Sequence, residues 1–153
     1  MREFADAYAF GTLDIDGRKF PKVLLGTSPF IGAGQFGAKS YVYYRQFYEN
    51  PKNIVKIIVE CVKLGCNAVQ LICSPPILTA VQEAVRATDT EIFIMGSTGL
   101  GEISNEIERM KQLKAQSMVT HGSYTDRVLN KNPEKLRQTL QSMRDGIAGI
   151  ASH

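Results

Sequence analysis

Apolar residues follow two alternating patterns through most of the chain. Short and nearly continuous apolar runs, which are typical of buried strands, alternate with longer stretches in which apolar residues recur every three or four positions, as on one face of a helix. This alternation favours an α/β fold, a parallel sheet covered by helices. The pattern predicts strands at 22–27, 67–73, 91–96, 117–122 and 147–153, and helices at 51–64, 76–88, 101–115 and 132–146.

The first predicted element is a β-hairpin. Residues 8–20 alternate loosely between apolar and polar, and Asp16-Gly17 is a common two-residue hairpin turn. The 153 residues have the length of one domain. We therefore expect a single β/α domain over 1–153, with the hairpin at 8–20 and, over 22–153, four βα units plus a fifth strand.

Two arrangements of these elements compete. A five-stranded doubly wound sheet fits the length, but that fold usually ends on a helix, whereas the predicted elements end on a strand at His153. The order of elements fits better the first half of a TIM (β/α)8 barrel, because a hairpin ahead of the first strand can close the barrel floor. A complete barrel takes about 250 residues. A half-barrel exposes sheet edges and an apolar face, so we expect a homo-oligomer or a missing C-terminal half.

Composition and charge narrow the classes of partner. The net charge is +3, from 18 basic and 15 acidic residues that are scattered along the chain, so nucleic acid is not an expected partner. No apolar run approaches the ~18 residues of a membrane span, and the N-terminus has no signal-peptide stretch, so no membrane partner is expected either. Cys61, Cys66 and Cys73 have spacings that fit neither a zinc site nor a disulfide framework, and we interpret them as core thiols of a cytoplasmic protein.

One glycine-rich loop matches a known spacing. Gly32, Gly34 and Gly37 form G-x-G-x-x-G, the fingerprint of a loop that binds a dinucleotide pyrophosphate. In that fingerprint a strand runs directly into the first glycine, and an acidic residue ends the next strand about 20 residues on. This chain has neither feature. We therefore favour a flexible loop that closes over the strand ends, with cofactor binding as the alternative and the cofactor unknown.

Chemistry in parallel α/β folds collects at the carboxyl ends of the strands. The only two histidines of the chain, His121 and His153, fall at the ends of neighbouring predicted strands, which lie ~4.8 Å apart in a sheet. We expect His121 to be the acid or base, with Gln70 and Asp126 as further catalytic residues. A metal site formed by His121, His153 and Asp126 is the alternative.

A second group of polar residues predicts substrate binding. The segment GSTGLGE at 96–102 precedes a predicted helix, and the N–H groups at a helix N-terminus suit an anion. The residues predicted to bind a small polar or anionic substrate are Ser97, Thr98, Gly99 and Gly101 in this segment, and Thr27, Ser28 and Gln35 near the first strand.

Two segments resemble a known family. Residues 10–30, which include LDIDGRKFPKVLLGTSPF, resemble the start of aldo-keto reductase barrels, where a hairpin precedes a strand that ends in Gly-Thr. Residues 112–126, which include MVTHGSYTD, resemble that family's fourth strand, which ends in a histidine near the nicotinamide, here His121. The family's catalytic Asp, Tyr and Lys have no counterpart in QLICSPPILT or EIFIMGST. The resemblance therefore implies a TIM-barrel fold and the place of His121, and it does not imply carbonyl reduction.

These observations leave three functions open. The first is an enzyme of aldolase, isomerase or hydrolase type that acts on a small polar or anionic molecule at the strand ends; without a lysine there, Schiff-base chemistry is not expected. The second is a non-catalytic or incomplete barrel domain that needs a second half or a partner. The third is a dinucleotide-dependent oxidoreductase.

Overall fold

The computed structural model describes residues 8–153, which form two compact units that divide after Phe93. The first unit contains the hairpin strands β1 (Thr12–Ile15) and β2 (Arg18–Pro21), then β3 (Leu25–Gly26), two 3-10 turns (Ser28–Ile31 and Gly34–Phe36), α1 (Lys39–Tyr43), a π-helical segment (Tyr44–Tyr48), α2 (Pro51–Lys63), β4 (Ala68–Ile72) and α3 (Pro75–Thr88). The second unit begins at the second residue of β5 (Phe93–Thr98) and continues with α4 (Ile103–Gln112), β6 (Ser117–Thr120), α5 (Gly122–Leu129), α6 (Pro133–Ser142) and β7 (Ile147–Ile150). Among the helices of residues 8–153, none has the length and apolar character needed to cross a membrane.

The strands form an antiparallel hairpin and a five-stranded parallel sheet, as predicted. The sheet has the order β3-β4-β5-β6-β7, which is the order of the chain. A doubly wound sheet reverses its strand order at a switch point, so the alternative arrangement does not describe this sheet. Leu25 pairs with Val69 on β3 and β4, and Ser97 pairs with Val119 on β5 and β6. The α/β class and the N-terminal hairpin are therefore confirmed.

The hairpin turn forms at the predicted dipeptide. Asp16 and Gly17 both have positive φ, at 52° and 76°, which is the conformation that two-residue hairpin turns of type I′ require. The Asp14 carboxylate accepts a hydrogen bond from the Gly17 amide at 2.8 Å and so reinforces the turn. Ile15 then pairs with Arg18 on the opposite strand.

Buried helix faces build a core in each unit. In the first unit α2 packs on α3 through side chains that are almost fully buried, among them Ile54, Ile58, Ile77 and Val81. In the second unit Met110, Met118 and Met143 are buried, and Tyr124, Val128 and Leu136 form a cluster with Ile103 and Leu140. Gly96 permits the close approach of α4 to β5, because a Cβ there would overlap the Met110 side chain.

The element bounds differ from the prediction in several places. β6 ends at Thr120 rather than at 122, β7 at Ile150 rather than at 153, and α6 at Ser142 rather than at 146. The strand predicted at 22–27 is only two residues long, and Val23 is exposed, so the apolar run there is only partly built into the sheet. β5 runs to Thr98 rather than to residue 96, because the polar Ser97 and Thr98 are buried within the strand. Helix α5 was not predicted. Its residues are mostly poor helix formers, and buried side chains such as Tyr124 and Val128 stabilise it instead.

Candidate functional site

The second unit brings the two histidines together at the carboxyl ends of neighbouring strands. His121 directly follows β6, and its amide donates to the Thr98 carbonyl at 2.7 Å. His153 follows β7, whose ladder continues through a hydrogen bond from the Ala151 amide to the Thr120 carbonyl. The two imidazole rings lie edge to face, with centroids 6.2 Å apart. One small molecule can therefore contact both rings.

His121 is the N-cap residue of α5. Its Nδ1 accepts a hydrogen bond from the Ser123 amide at 3.3 Å and lies 2.6 Å from the Ser123 hydroxyl. A nitrogen that accepts from an amide carries no proton, so this pattern assigns the proton of the neutral imidazole to Nε2. His121 therefore presents an N–H donor on its outer edge.

His153 has the opposite hydrogen-bonding role. Its Nδ1 lies 2.8 Å from a carboxylate oxygen of Asp126, and its amide donates to the same oxygen at 3.3 Å. The Ser152 hydroxyl donates to the other Asp126 oxygen at 2.8 Å. Because a carboxylate only accepts, Nδ1 of His153 carries a proton, and in the neutral imidazole Nε2 then has the lone pair.

Local packing and hydrogen bonds position the His153 ring and the Asp126 carboxylate. A Cβ at Gly122 would collide with the His153 ring, so glycine at this position leaves the space that the ring occupies. The hydrogen bonds from His153 and then from Ser152 hold the pKa of the Asp126 carboxyl below its usual value. Asp126 is thus a carboxylate at neutral pH and can orient the imidazole and stabilise its charged form.

The alternative prediction of a metal site used His121, His153 and Asp126. Within residues 8–153, no three His, Cys, Asp or Glu side chains are arranged to hold a metal ion. Nδ1 of His121 already accepts a hydrogen bond from the Ser123 amide, and one oxygen of Asp126 already accepts a hydrogen bond from the His153 ring. Asp126 and His153 are joined by a hydrogen bond, whereas His121 contacts the His153 ring and is hydrogen-bonded to Ser123, so the three side chains are not directed at one point.

The loop predicted to bind an anion has an internal carboxylate instead. Glu106, in the first turns of α4, is buried, and its two carboxylate oxygens accept hydrogen bonds from the amides of Gly99 and Gly101, the latter at 2.9 Å. Thr98 is fully buried and donates to the Val119 carbonyl, and Ser97 is also buried. The amides predicted to bind a substrate anion are therefore occupied by the protein itself.

The remaining predicted substrate residues lie in the first unit, and so does Gln70, which was predicted to be catalytic. Thr27 is buried, and its hydroxyl donates to the Gln70 carbonyl and accepts from the Ile72 amide, both at 3.0 Å. This side chain joins β3 to β4. Gln70 is exposed and lies two residues before the end of β4. Ser28 begins the first 3-10 turn, and Gln35 is exposed in the second.

The three fingerprint glycines form a compact turn. Gly32 ends the first 3-10 turn with φ 60°, and Gly37 follows the second with φ 56°. A Cβ at Gly32 would overlap the Ser40 carbonyl and lie 2.8 Å from Cβ of Tyr44, so this glycine lets the loop pack on the helical segment that follows. β3 ends at Gly26, and α1 has five residues. The loop has the glycine spacing of the fingerprint without its strand–turn–helix arrangement.

Three side chains at these sites were not among the predicted site residues. Ser123 lies two residues after His121, and Ser152 directly precedes His153; both stand at the predicted strand ends, and serine hydroxyls commonly form such local hydrogen bonds. Glu106 gave a weaker signal: an acidic residue in the first turn of a helix after a glycine-rich loop.

Comparison with known proteins gives no relative: no protein-family model matches the chain, nor does any curated protein or solved structure. The resemblance to aldo-keto reductases therefore stays a prediction from residues 10–30 and 112–126. The fold that is established is an α/β fold with a five-stranded parallel sheet and an N-terminal hairpin.

Proposed function

We propose that the second unit is an acid–base enzyme of isomerase or aldolase type that acts on a small polar molecule. One observation supports this above all: the two neighbouring imidazoles have different partners at Nδ1, a serine amide for His121 and a carboxylate for His153, and these partners favour opposite roles at Nε2. His121 is positioned by Ser123 to donate from Nε2, and His153 is positioned by Asp126 to accept at Nε2.

Such a pair suits a proton transfer. The lone pair on Nε2 of His153 takes a proton from carbon or oxygen of the substrate, and the Asp126 carboxylate stabilises the imidazolium that forms. Nε2–H of His121 donates to the oxygen on which negative charge develops. Because the amides of Gly99 and Gly101 already bind Glu106, we propose a substrate recognised by hydrogen bonds at the histidines rather than by a phosphate at this loop.

The test is a proton-exchange assay that assumes no particular substrate. The protein is incubated in D2O with a panel of small hydroxy-carbonyl compounds, and proton NMR follows the exchange of C–H groups next to the carbonyl and the appearance of isomers. We expect exchange with at least one compound, slowed about 100-fold or more in His121→Gln and in His153→Gln. Lys131→Gln, an exposed change beyond the end of α5, is the control and should leave the rate unchanged. Equal rates in wild type and both histidine variants would contradict the proposal.

A second candidate function is a domain that becomes active only when another copy completes the sheet. Its support is β7, which ends the strand order and has side chains that are half-buried or exposed. Sedimentation equilibrium tests it: a dimer is expected, and a monomer of 16.9 kDa that shows exchange activity would rule it out.

A further inference from the structure

The C-terminal turn of α2 places two cysteines at paired positions. The Gly65 amide donates to the Val62 carbonyl, and the Cys66 amide donates to the Cys61 carbonyl, both at 2.9 Å. Gly65 has φ +83°. These two hydrogen bonds around a left-handed glycine define a Schellman motif, in which the side chains at the positions of Cys61 and Cys66 commonly contact each other.

We propose that Cys61 and Cys66 are a redox-modification site: they form an intramolecular disulfide across this turn on reaction with a low-molecular-weight disulfide of the glutathione type. The backbone hydrogen bond already brings the two residues together, and disulfides need such a close approach of the two Cα atoms. The site lies in the first unit and does not depend on the proposed function.

The reaction balances as two thiol–disulfide exchanges. One cysteine thiolate attacks a sulfur of the small disulfide; that S–S bond breaks, a mixed disulfide forms, and one small thiolate leaves and takes up a proton. The second cysteine thiolate then attacks the protein sulfur of the mixed disulfide and releases the second small thiolate, which is also protonated. The two protein thiols are oxidised by two electrons, and the small disulfide is reduced to two thiols.

The surroundings of the two thiols set the conditions of the reaction. Both side chains are half-buried. Sγ of Cys66 lies 3.8 Å from the Val23 carbonyl oxygen and 3.9 Å from the Ala68 carbonyl oxygen. These contacts are weak, so the Cys66 thiol can leave them to form a disulfide. Burial, and then the neighbouring Cys66, raise the pKa of Cys61. Because the thiolate is the reacting form, formation of the bridge should accelerate as the pH rises.

The bridge would fix a turn to which the start of the described chain is attached. The Gly65 carbonyl accepts a hydrogen bond from the Ala9 amide at 3.1 Å, and a Cβ at Gly65 would overlap Cβ of Ala9. Oxidation should therefore slow hydrogen exchange at the amides of Ala9 and Cys66 relative to the reduced protein.

The third cysteine supplies the matched control. The folded protein is treated with oxidised glutathione in mildly alkaline buffer, denatured, alkylated and analysed by mass spectrometry. Wild type and Cys73→Ser should each lose two alkylatable thiols and yield a Cys61–Cys66 linked peptide, reversed by a reducing agent. Cys61→Ser and Cys66→Ser should instead retain glutathione on the remaining thiol of the pair. Circular dichroism establishes that each variant is folded, and alanine variants replace any serine variant that is not.

A bridge that involves Cys73, a bridge between two chains, or wild-type protein that carries only glutathione would each overturn the proposal. The pH dependence gives an independent check: the rate of bridge formation should rise between neutral and alkaline pH, and a rate that falls over this range contradicts the thiolate mechanism.

Discussion

The carboxylate of Glu106 accepts a hydrogen bond from the Gly101 amide at 2.9 Å and so closes the loop that precedes its own helix. The other oxygen of the same carboxylate accepts from Gly99. We expect Glu106→Gln to destabilise the protein by about 1–3 kcal/mol, because an amide group offers one acceptor atom where the loop needs two and turns a donor toward the remaining N–H. Urea unfolding measures this difference. Glu108→Gln, an exposed change on the same helix, should stay within about 0.5 kcal/mol of wild type. Equal effects of both substitutions would contradict the role of Glu106.

Short-range patterns in the sequence were enough to predict the fold class. They were not enough to predict which side chains bind to which loops. Apolar periodicity located the helix that became α2, because Ile54 and Ile58 lie one turn apart on its buried face. It missed α5, where burial of Tyr124 outweighs weak helix propensity. The neighbouring positions of His121 and His153 followed from the order of parallel strands. The binding of Glu106 to the amides of Gly99 and Gly101 could not be predicted, since glycine spacing alone cannot show whether a loop amide binds a ligand or a side chain of the protein.

The hydrogen bonds to Asp126 predict an acid titration that depends on two named neighbours. The hydrogen bond from His153 is the largest cause of the lowered pKa of Asp126 and that from Ser152 is the next, so we expect this pKa to lie below its usual value in wild type, to rise toward that value in His153→Gln, and to rise less in Ser152→Ala. The stabilisation from this carboxylate is fully present above the unfolded-state pKa and is lost as the pH falls through the folded-state value. Carbon-detected NMR of the Asp126 carboxyl measures the midpoint. A midpoint unaffected by His153→Gln would show that the pair does not interact in solution.

The hydroxyl of Thr27 predicts a difference between two conservative substitutions. It joins β3 to β4 through one donated and one accepted hydrogen bond in a buried position. Thr27→Val keeps the side-chain shape but leaves the Ile72 amide and the Gln70 carbonyl without this partner, so we expect a loss of about 1–3 kcal/mol in unfolding free energy. Thr27→Ser keeps the hydroxyl and should lose less. If the valine variant is at least as stable as the serine variant, the hydroxyl is not what joins these strands.

If the three fingerprint glycines have a structural role, their alanine variants should lose different amounts of unfolding free energy. Gly32→Ala combines a left-handed φ of +60° with a Cβ that meets the Ser40 carbonyl, so we expect a loss of about 3 kcal/mol or more. Gly37→Ala has the positive φ without a steric neighbour within 4 Å and should lose about 1–3 kcal/mol. Gly34 has neither constraint, and Gly34→Ala should be neutral or stabilising by up to about 1 kcal/mol, since alanine restricts the unfolded chain. Urea unfolding of the three variants gives the order of these losses.

A dinucleotide site predicts a different outcome, because in such a site the second glycine permits the close approach of the pyrophosphate. NAD would then stabilise the wild-type protein, and Gly34→Ala would abolish this stabilisation. A structural loop predicts that NAD does not stabilise the wild-type protein.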